Sequence, residues 1–573
     1  MQPFNLRFLS CLSLVCLIGC NGASQPDLIL SHGVIYTLDP GRSVQEAVVI
    51  TDGRISFVGS SAEALAQAGS KTQVVDLGGR LVLPGLQDTH IHPIMGGIDA
   101  LSCDLSSGET AEDYLALIET YAQANPHLAW ITGGGWAMSA FGPGGMPAKE
   151  LLDAVVPDRP VLLFSSDGHT AWANSKALAL AGLTAETPDP PDGRIDRHPE
   201  TGELIGSLQE GAGNLLDHVV PAVTPEAALD GLRYSVAMLN AYGITAVQDA
   251  IVTAEDLETY HALEALGELS LHVEASLWWE RERGLEQVAD LIALREPYRE
   301  GQVRANTVKI MQDGVMENYT AVMLEPYLLD TDNVTGIPMV EPALLKDIVT
   351  ALDAAQFQVH FHAIGDGAIR QALDAIQAAK ANNGLTDGRH HISHLQIIDR
   401  ADIPRFAELG VTANFQPLWA YADEYINDLT LPFIRAETAQ QMYPIQSVID
   451  AGGTVAFGSD WSVSTANPWV QIEVAITRKN PEGPEEAPGE AFLPHERVSL
   501  EAALEAFTIH AASVNHREDE TGSIEAGKLA DLVVLDRNLF EIPAAEISET
   551  AALVTLFKGE VVHGSLALPG ESP

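Results

Sequence analysis

The stretch Pro84-Gly85-Leu86-Gln87-Asp88-Thr89-His90-Ile91-His92-Pro93 decides how the rest of the chain is read. A Pro-Gly turn leading into this run predicts a strand, on which side chains two apart share a face. His90 and His92 therefore aim at one point. Imidazole is a good zinc ligand, and two on one rigid strand form half of a catalytic metal site. A bare His-x-His also fits an exposed strand edge, so the surrounding chain has to discriminate.

Downstream of this stretch, apolar strand-like runs alternate with amphipathic helical ones. Strand candidates are 161–164, 245–248, 272–275, 307–311, 358–362, 391–394, 411–415 and 454–458, with helical stretches such as 345–355 and 368–379 between them. Repeated βα units predict a parallel sheet, and about eight of them predict a closed barrel. The fold class expected is α/β, a (β/α)8 TIM barrel. Residues from about 101 to 224 are too many for one βα connection and read as an insertion packed over the barrel mouth. The run NPEGPEEAPG at 480–489 reads as an exposed loop.

The two ends share a different texture. Near the start, Ala47-Val48-Val49-Ile50 meets Ile55-Ser56-Phe57-Val58 across Thr51-Asp52-Gly53-Arg54, an Asp-Gly hairpin signal. Near the finish, Leu532-Val533-Val534-Leu535 and Thr555-Leu556-Phe557 are again short strands separated by turns. One small β-sandwich divided between the termini is expected, with 26–82 as its first part and 515–567 as its second. The barrel then occupies 83–514, and residues 1–19 form a lipoprotein signal peptide.

That leader has one positive residue, Arg7, ahead of an apolar run too short to span a bilayer. It ends in Leu17-Ile18-Gly19-Cys20, which resembles a bacterial lipobox with cleavage before Cys20 and lipid on its sulfur. An ordinary secretory peptide or a retained anchor would fit the same run. The expected location is the periplasmic face of the outer membrane or the cell surface of a bacterium, with membrane contact through the lipid alone. Cys11 and Cys16 would leave with the leader, so Cys103 stands alone and no disulfide framework is expected.

A formal net charge of −48 over 573 residues repels nucleic-acid phosphate, which excludes nucleic acid as a partner. With 46% hydrophobic residues the chain can bury a large core. The partner expected is a small-molecule substrate. Oligomeric state is left open, a homodimer included.

Further ligand candidates stand where polar residues end later strand-like runs. They are His362 in His360-Phe361-His362-Ala363-Ile364-Gly365-Asp366, His394 in His391-Ile392-Ser393-His394, and Asp460 in Gly458-Ser459-Asp460-Trp461. Active sites of such barrels gather at the C-terminal strand ends. Any one of these residues could instead be a hydrogen-bonded loop residue.

With these marks in order, the chain resembles the amidohydrolase superfamily, specifically the amidohydrolase family 3 group of N-substituted formamide deformylase-like metal-dependent hydrolases. The resemblance rests on PGLQDTHIHP at 84–93, GGGW at 133–136, PDRPVLL at 157–163 and DGHTAWANSKAL at 167–178. It continues through GITAVQDA at 243–250, VKIMQDG at 308–314, HAIGDGA at 362–368, GSDW at 458–461 and GSIEAGKLADLVVLD at 522–536.

The resemblance implies that His90, His92, His362, His394 and Asp460 hold a divalent metal, zinc in the first instance, as one or two ions. It also points to Lys309, which relatives carboxylate to bridge two metals; an ammonium paired with a carboxylate is the other option. Of the remaining marks, His169 is a substrate contact or a structural histidine, and Trp136, Gln312 and Asp313 are candidates for the pocket lining. His360, although two residues from His362, is assigned to barrel packing or to support of the site. This chain departs from the family pattern at Trp419, where many relatives carry histidine, and in the segment after Asp313.

The implied chemistry is hydrolysis of a carbon–nitrogen bond other than a peptide bond, in an amide or an N-formyl or N-acyl substrate. Metal-activated water attacks the carbonyl while Asp460 acts as the catalytic general base. Deamination, or ester or cyclic-amide hydrolysis, would use the same site. A non-catalytic binding lipoprotein would require a lost ligand or base, and the sequence shows neither.

Overall fold

The computed structural model describes residues 25–142, 145–329, 333–481 and 490–568. The leader at 1–19, Cys20 and most of the 480–489 loop lie outside the described residues. Among the described residues no helix is long and apolar enough to cross a membrane.

Eight strands form one parallel sheet that curls into a barrel. In chain order they are β1 (Leu86–Ile91), β2 (Ile244–Val252), β3 (His272–Trp278), β4 (Val303–Met311), β5 (Gln358–Ala363), β6 (His391–His394), β7 (Thr412–Phe415) and β8 (Thr454–Phe457). Each pairs with its neighbour in sequence. The first and last strands meet at a seam. There Thr89 Oγ1 donates to the Phe457 carbonyl at 2.7 Å, and Asn414 Nδ2 donates to the Thr89 carbonyl at 2.9 Å.

Amphipathic helices return the chain from one strand to the next, as a parallel sheet requires. Pro342–Ala354 and Asp366–Asn383 bury Leu345, Ile348, Val349 and Leu352, and Ile369, Leu373 and Ile376, at helical spacing. Ala254–Ala265 opens with a capping box between Thr253 and Asp256. These elements enclose a continuous apolar core around the barrel.

The expected strand 161–164 is a strand, Val161–Ser165, but it belongs to the insertion and not to the barrel. Cys103–Asp104, Ile131–Trp136, Val161–Ser165, Thr170–Ala173, Leu204–Glu210 and Gly193–Arg197 form a separate six-stranded sheet between β1 and β2. Its own core includes Cys103, Trp136, Leu163 and Trp172.

At the termini, Leu532–Leu535 lies antiparallel to Leu81–Pro84, with Val533 opposite Leu83. A four-stranded sheet of Leu28–Ser31, Ala47–Thr51, Arg54–Gly59 and Gln73–Asp76 packs against it. Leu30, Val48 and Val82 from one end share a core with Leu532, Val534 and Leu556 from the other. Both termini thus build one sandwich beside the barrel.

Candidate metal centre

His90, His92, Lys309, His362, His394 and Asp460 are all buried and come together at the C-terminal ends of the barrel strands. His90 lies one residue before the end of β1, His362 near the end of β5, and His394 ends β6. Asp460 follows β8 by three residues. The ligand atoms of His90, His92 and Asp460 lie within 4.8 Å of one another. Asp460 Oδ1 is 3.3 Å from His90 Nε2 and 3.1 Å from His92 Nε2, and its Oδ2 is 3.7 Å from His394 Nδ1. The His362 and His394 ring centres stand 4.3 Å apart. Lys309 Nζ is 3.3 Å from His90 Nε2.

Backbone conformation helps to aim these groups. His394 (φ 80°) and Asp460 (φ 56°) occupy the left-handed region, which is uncommon for residues other than glycine. Such strain is found at functional sites where surrounding structure enforces it.

The electrostatics suit a cation. Burial, followed by the neighbouring Lys309, pushes His90 down to about 3. Burial likewise holds His362 and His394 well below the usual imidazole range. These rings are therefore neutral and offer lone pairs, the form that ligates metal. Burial would raise the Asp460 carboxyl, but His90, His92 and His394 hold it well below the usual carboxylate range. Burial pulls Lys309 down to about 7, against the opposing pull of Asp460 and Asp249.

Hydrogen bonding passes the same test. Asp460 Oδ1, His92 Nδ1 and His394 Nδ1 are buried without a hydrogen-bond partner. A buried carboxylate oxygen and two buried imidazole nitrogens left so are costly unless something else satisfies them. This donor set fits a divalent metal.

Buried carboxylates support the residues in and around the cluster. Asp88 accepts from the amides of His90 (3.1 Å) and Ser459 (3.0 Å), tying β1 to the Asp460 loop. Asp313 accepts from the amides of Ile364, Gly365 and Val322 and lies 3.7 Å from His362 Nε2. Asp249 accepts from the Tyr260 hydroxyl at 2.7 Å. Glu210 Oε2 is 2.8 Å from His169 Nδ1, and its Oε1 accepts from Thr320 Oγ1 at 2.6 Å. Asp88 was within reach of sequence reasoning, since it shares strand parity with His90. Glu210 carried no local signal, because its partners are set by tertiary packing, whereas Asp249 stands in GITAVQDA at 243–250 and ends the strand-like run 245–248.

His169 reaches over the mouth from the insertion, its ring centre 5.3 Å from that of His362. Burial would lower it, but Glu210 and then Asp167 raise it to about 9. Trp136 does not line the mouth. Its indole is fully buried against Phe141 and Trp172, and its Nε1 donates to the Leu163 carbonyl at 3.1 Å. Gln312 also turns away, donating to the Val340 carbonyl and to Gln371. Asp313 is enclosed by backbone amides and supports His362 instead of facing substrate. The pocket-lining expectation for these three is corrected accordingly: alternation on a strand names a face, but not which neighbours close over it. Trp419, the departure from the family pattern, stacks on His394 at 5.5 Å and 10°.

A cleft of about 1050 Å³ opens at the opposite end of the barrel, beside Glu274, Arg304, Gln358 and Arg517. It contains none of the candidate ligands.

An eight-stranded α/β barrel with neutral histidines and a carboxylate gathered at its rim defines a metal-dependent hydrolase of the barrel type. Residues 73–563 match the amidohydrolase family, and the chain belongs to that family. It is 30% identical over 561 residues to Protein LONG AFTER FAR-RED 3 of Arabidopsis thaliana, covering 94% of this chain and 91% of that protein. It is 29% identical over 546 residues to N-substituted formamide deformylase of Arthrobacter pascens, covering 93% and 97%. Among solved structures, an uncharacterized metal-dependent hydrolase from Pyrococcus furiosus superposes with a TM-score of 0.69 at 26% identity, covering 89% of this chain and 99% of that one.

Proposed function

We propose that the protein hydrolyses a non-peptide carbon–nitrogen bond in a small amide, N-formyl or N-acyl substrate, with Asp460 as general base. The observation that carries this reading is the placement of the Asp460 carboxylate among buried imidazoles, with His90 and His92 at 3.3 and 3.1 Å.

His90, His92, His362, His394 and Asp460 would hold the metal, with zinc the first choice for an imidazole and carboxylate set. Such a cation supplies a Lewis acid that polarises the scissile carbonyl and acidifies water. Asp460, kept ionised by its neighbours, accepts a proton from the attacking water. It then delivers that proton to the nitrogen as the carbon–nitrogen bond breaks, because an amine leaves poorly until protonated. The products are a carboxylic acid and an amine. Lys309 at about 7 supplies the unprotonated amine that adds carbon dioxide, forming a nitrogen–carbon bond and releasing a proton. Its carboxylated form would add oxygen donors for a second ion. His169, held through Nδ1 by Glu210, is the substrate contact from the insertion.

The similarity to N-substituted formamide deformylase over nearly the whole chain supports the choice of substrate class. The same reading takes 1–19 as an export signal, with a lipid anchor at Cys20 and the domain limits set out above; mass spectrometry of the mature N-terminus tests the anchor. A screen of the zinc-loaded protein against N-formyl and N-acyl amines, cyclic ureas, aminated heterocycles and aryl esters tests the reaction. Turnover of amides, with release of the amine, is expected. Turnover confined to heterocycle deamination or to esters contradicts the proposal.

A further inference from the structure

We propose that His360 is a positioning residue for the metal centre, fixing the tautomer and ring plane of His90 from inside the barrel. The proposal rests on the assignment of His90 as a ligand.

His360 is fully buried on β5, and β4 sets it beside Lys309 in register. Its Nε2 lies 2.8 Å from His90 Nδ1 and 2.8 Å from Ser393 Oγ, while its Nδ1 lies 3.1 Å from Ser276 Oγ. The His90 and His360 rings meet edge to face, 4.7 Å apart at 81°. The opposite nitrogen of His90, Nε2, faces Lys309 Nζ and Asp460 Oδ1, each at 3.3 Å.

A neutral imidazole carries one N–H and one lone pair. If His90 is to bind a cation through Nε2, its proton must sit on Nδ1 and be donated to His360 Nε2. His360 must then carry its own proton on Nδ1, donated to Ser276 Oγ, and its single Nε2 lone pair is shared in a three-centre bond by His90 Nδ1–H and the Ser393 hydroxyl. In the reverse arrangement His360 Nε2 donates to His90 Nδ1. The His90 proton then points into the cluster, and no lone pair remains there for a metal. The two tautomers of this pair thus decide whether His90 can act as a ligand.

Below Ser276 the support continues down the barrel. Gln248 Nε2 donates to Ser276 Oγ at 3.3 Å and to Gln358 Oε1 at 3.3 Å, and Thr307 Oγ1 donates to Gln358 Oε1 at 2.8 Å. A residue needed only to fill space would have no use for this ladder, and a leucine would serve as well. Groups hydrogen-bonded behind a ligating histidine orient it, and their loss commonly costs 10- to 100-fold in metal affinity.

The test is zinc affinity of the full-length mature protein, by competition with a chromophoric chelator, alongside the unfolding midpoint of each metal-free variant. His360→Leu is expected to bind zinc about 10- to 100-fold more weakly. His360→Gln, whose Oε1 accepts from His90 Nδ1, is expected to recover most of that loss. Should His360→Leu fail to fold, the Ser276→Ala, Ser393→Ala double variant is expected to weaken zinc with the fold intact. His92→Ala is the control for the ligand assignment. If it loses zinc while His360→Leu, or the double variant, binds as the natural protein does, the proposal is overturned and the ligand assignment stands. Equal weakening in His360→Leu and His360→Gln overturns it in favour of packing. Unchanged binding in His92→Ala removes the ligand assignment and this proposal together.

Discussion

The backbone amide of Asp460 donates to the carbonyl of His90 at 2.7 Å. This one bond joins the chain after β8 to the end of β1, so the seam that closes the barrel also brings a carboxylate beside the first histidine. The same contact thus serves both barrel closure and the geometry of the site. Residues separated by most of the chain depend on each other for their geometry.

Asp460→Asn keeps the shape of the side chain and removes its basicity. General-base catalysis contributes roughly 10²- to 10⁴-fold. A fall in kcat of that size is expected in the zinc-loaded variant. Steady-state kinetics on the best amide substrate checks it, and retention of more than a tenth of kcat would remove Asp460 from the role of base.

Chelation is expected to lower stability as well as activity. The buried atoms that lack hydrogen-bond partners, Asp460 Oδ1 among them, are then left to one another. A ligand held at 100 times its Kd stabilises the fold by about 2.7 kcal/mol. Denaturant titration with and without chelator, and again after zinc is restored, measures the difference. Superimposable curves would show that the cluster does not hold a metal.

Asp353 provides a pH test away from the metal cluster. Burial would raise its carboxyl, but hydrogen bonds from His390, Thr386 and Asn383 hold it at about 2. The folded value lies below the unfolded value of about 3.9. Its contribution is therefore complete above pH 4 and is lost as pH falls through 2. Asp353→Asn should cost on the order of 2 kcal/mol at pH 7 and distinctly less near pH 3. Urea titrations at the two pH values decide it, and an equal cost at both would show that the carboxylate's charge is not what stabilises.

Trp136→Ala is expected to act on folding before it acts on substrate. The side chain is fully buried in the insertion's core. Truncating such a residue costs about 3–5 kcal/mol. Proteolysis within the insertion should quicken, while KM measured on the intact fraction stays near its natural value. A raised KM in a protein of unchanged stability would return Trp136 to the substrate pocket.

Much of the barrel was legible because its strands obey local rules. The end of β5 at His362 and the whole of β6 could be read from apolar runs stopped by polar residues. The start of β4 was harder to read. β4 begins at Val303, yet Arg304 and Asn306 break its apolar pattern, because that end opens to the polar cleft and not to core. The insertion strand Val161–Ser165 reads like a barrel strand, since its buried residues present the same pattern to a different core. The ligand candidates could be named from strand position and family likeness. The orientation of Trp136, Gln312 and Asp313 could not, because strand parity does not reveal what packs above. Partnerships such as His169 with Glu210 and His90 with His360 are products of the fold alone, 41 and 270 residues apart.

The most direct test of the account is the location and stoichiometry of metal in the purified protein, by elemental analysis and anomalous diffraction at the metal edge. At least one equivalent is expected, with its anomalous peak between His90, His92 and Asp460. Less than one equivalent after reconstitution, or a peak elsewhere in the chain, would contradict the account.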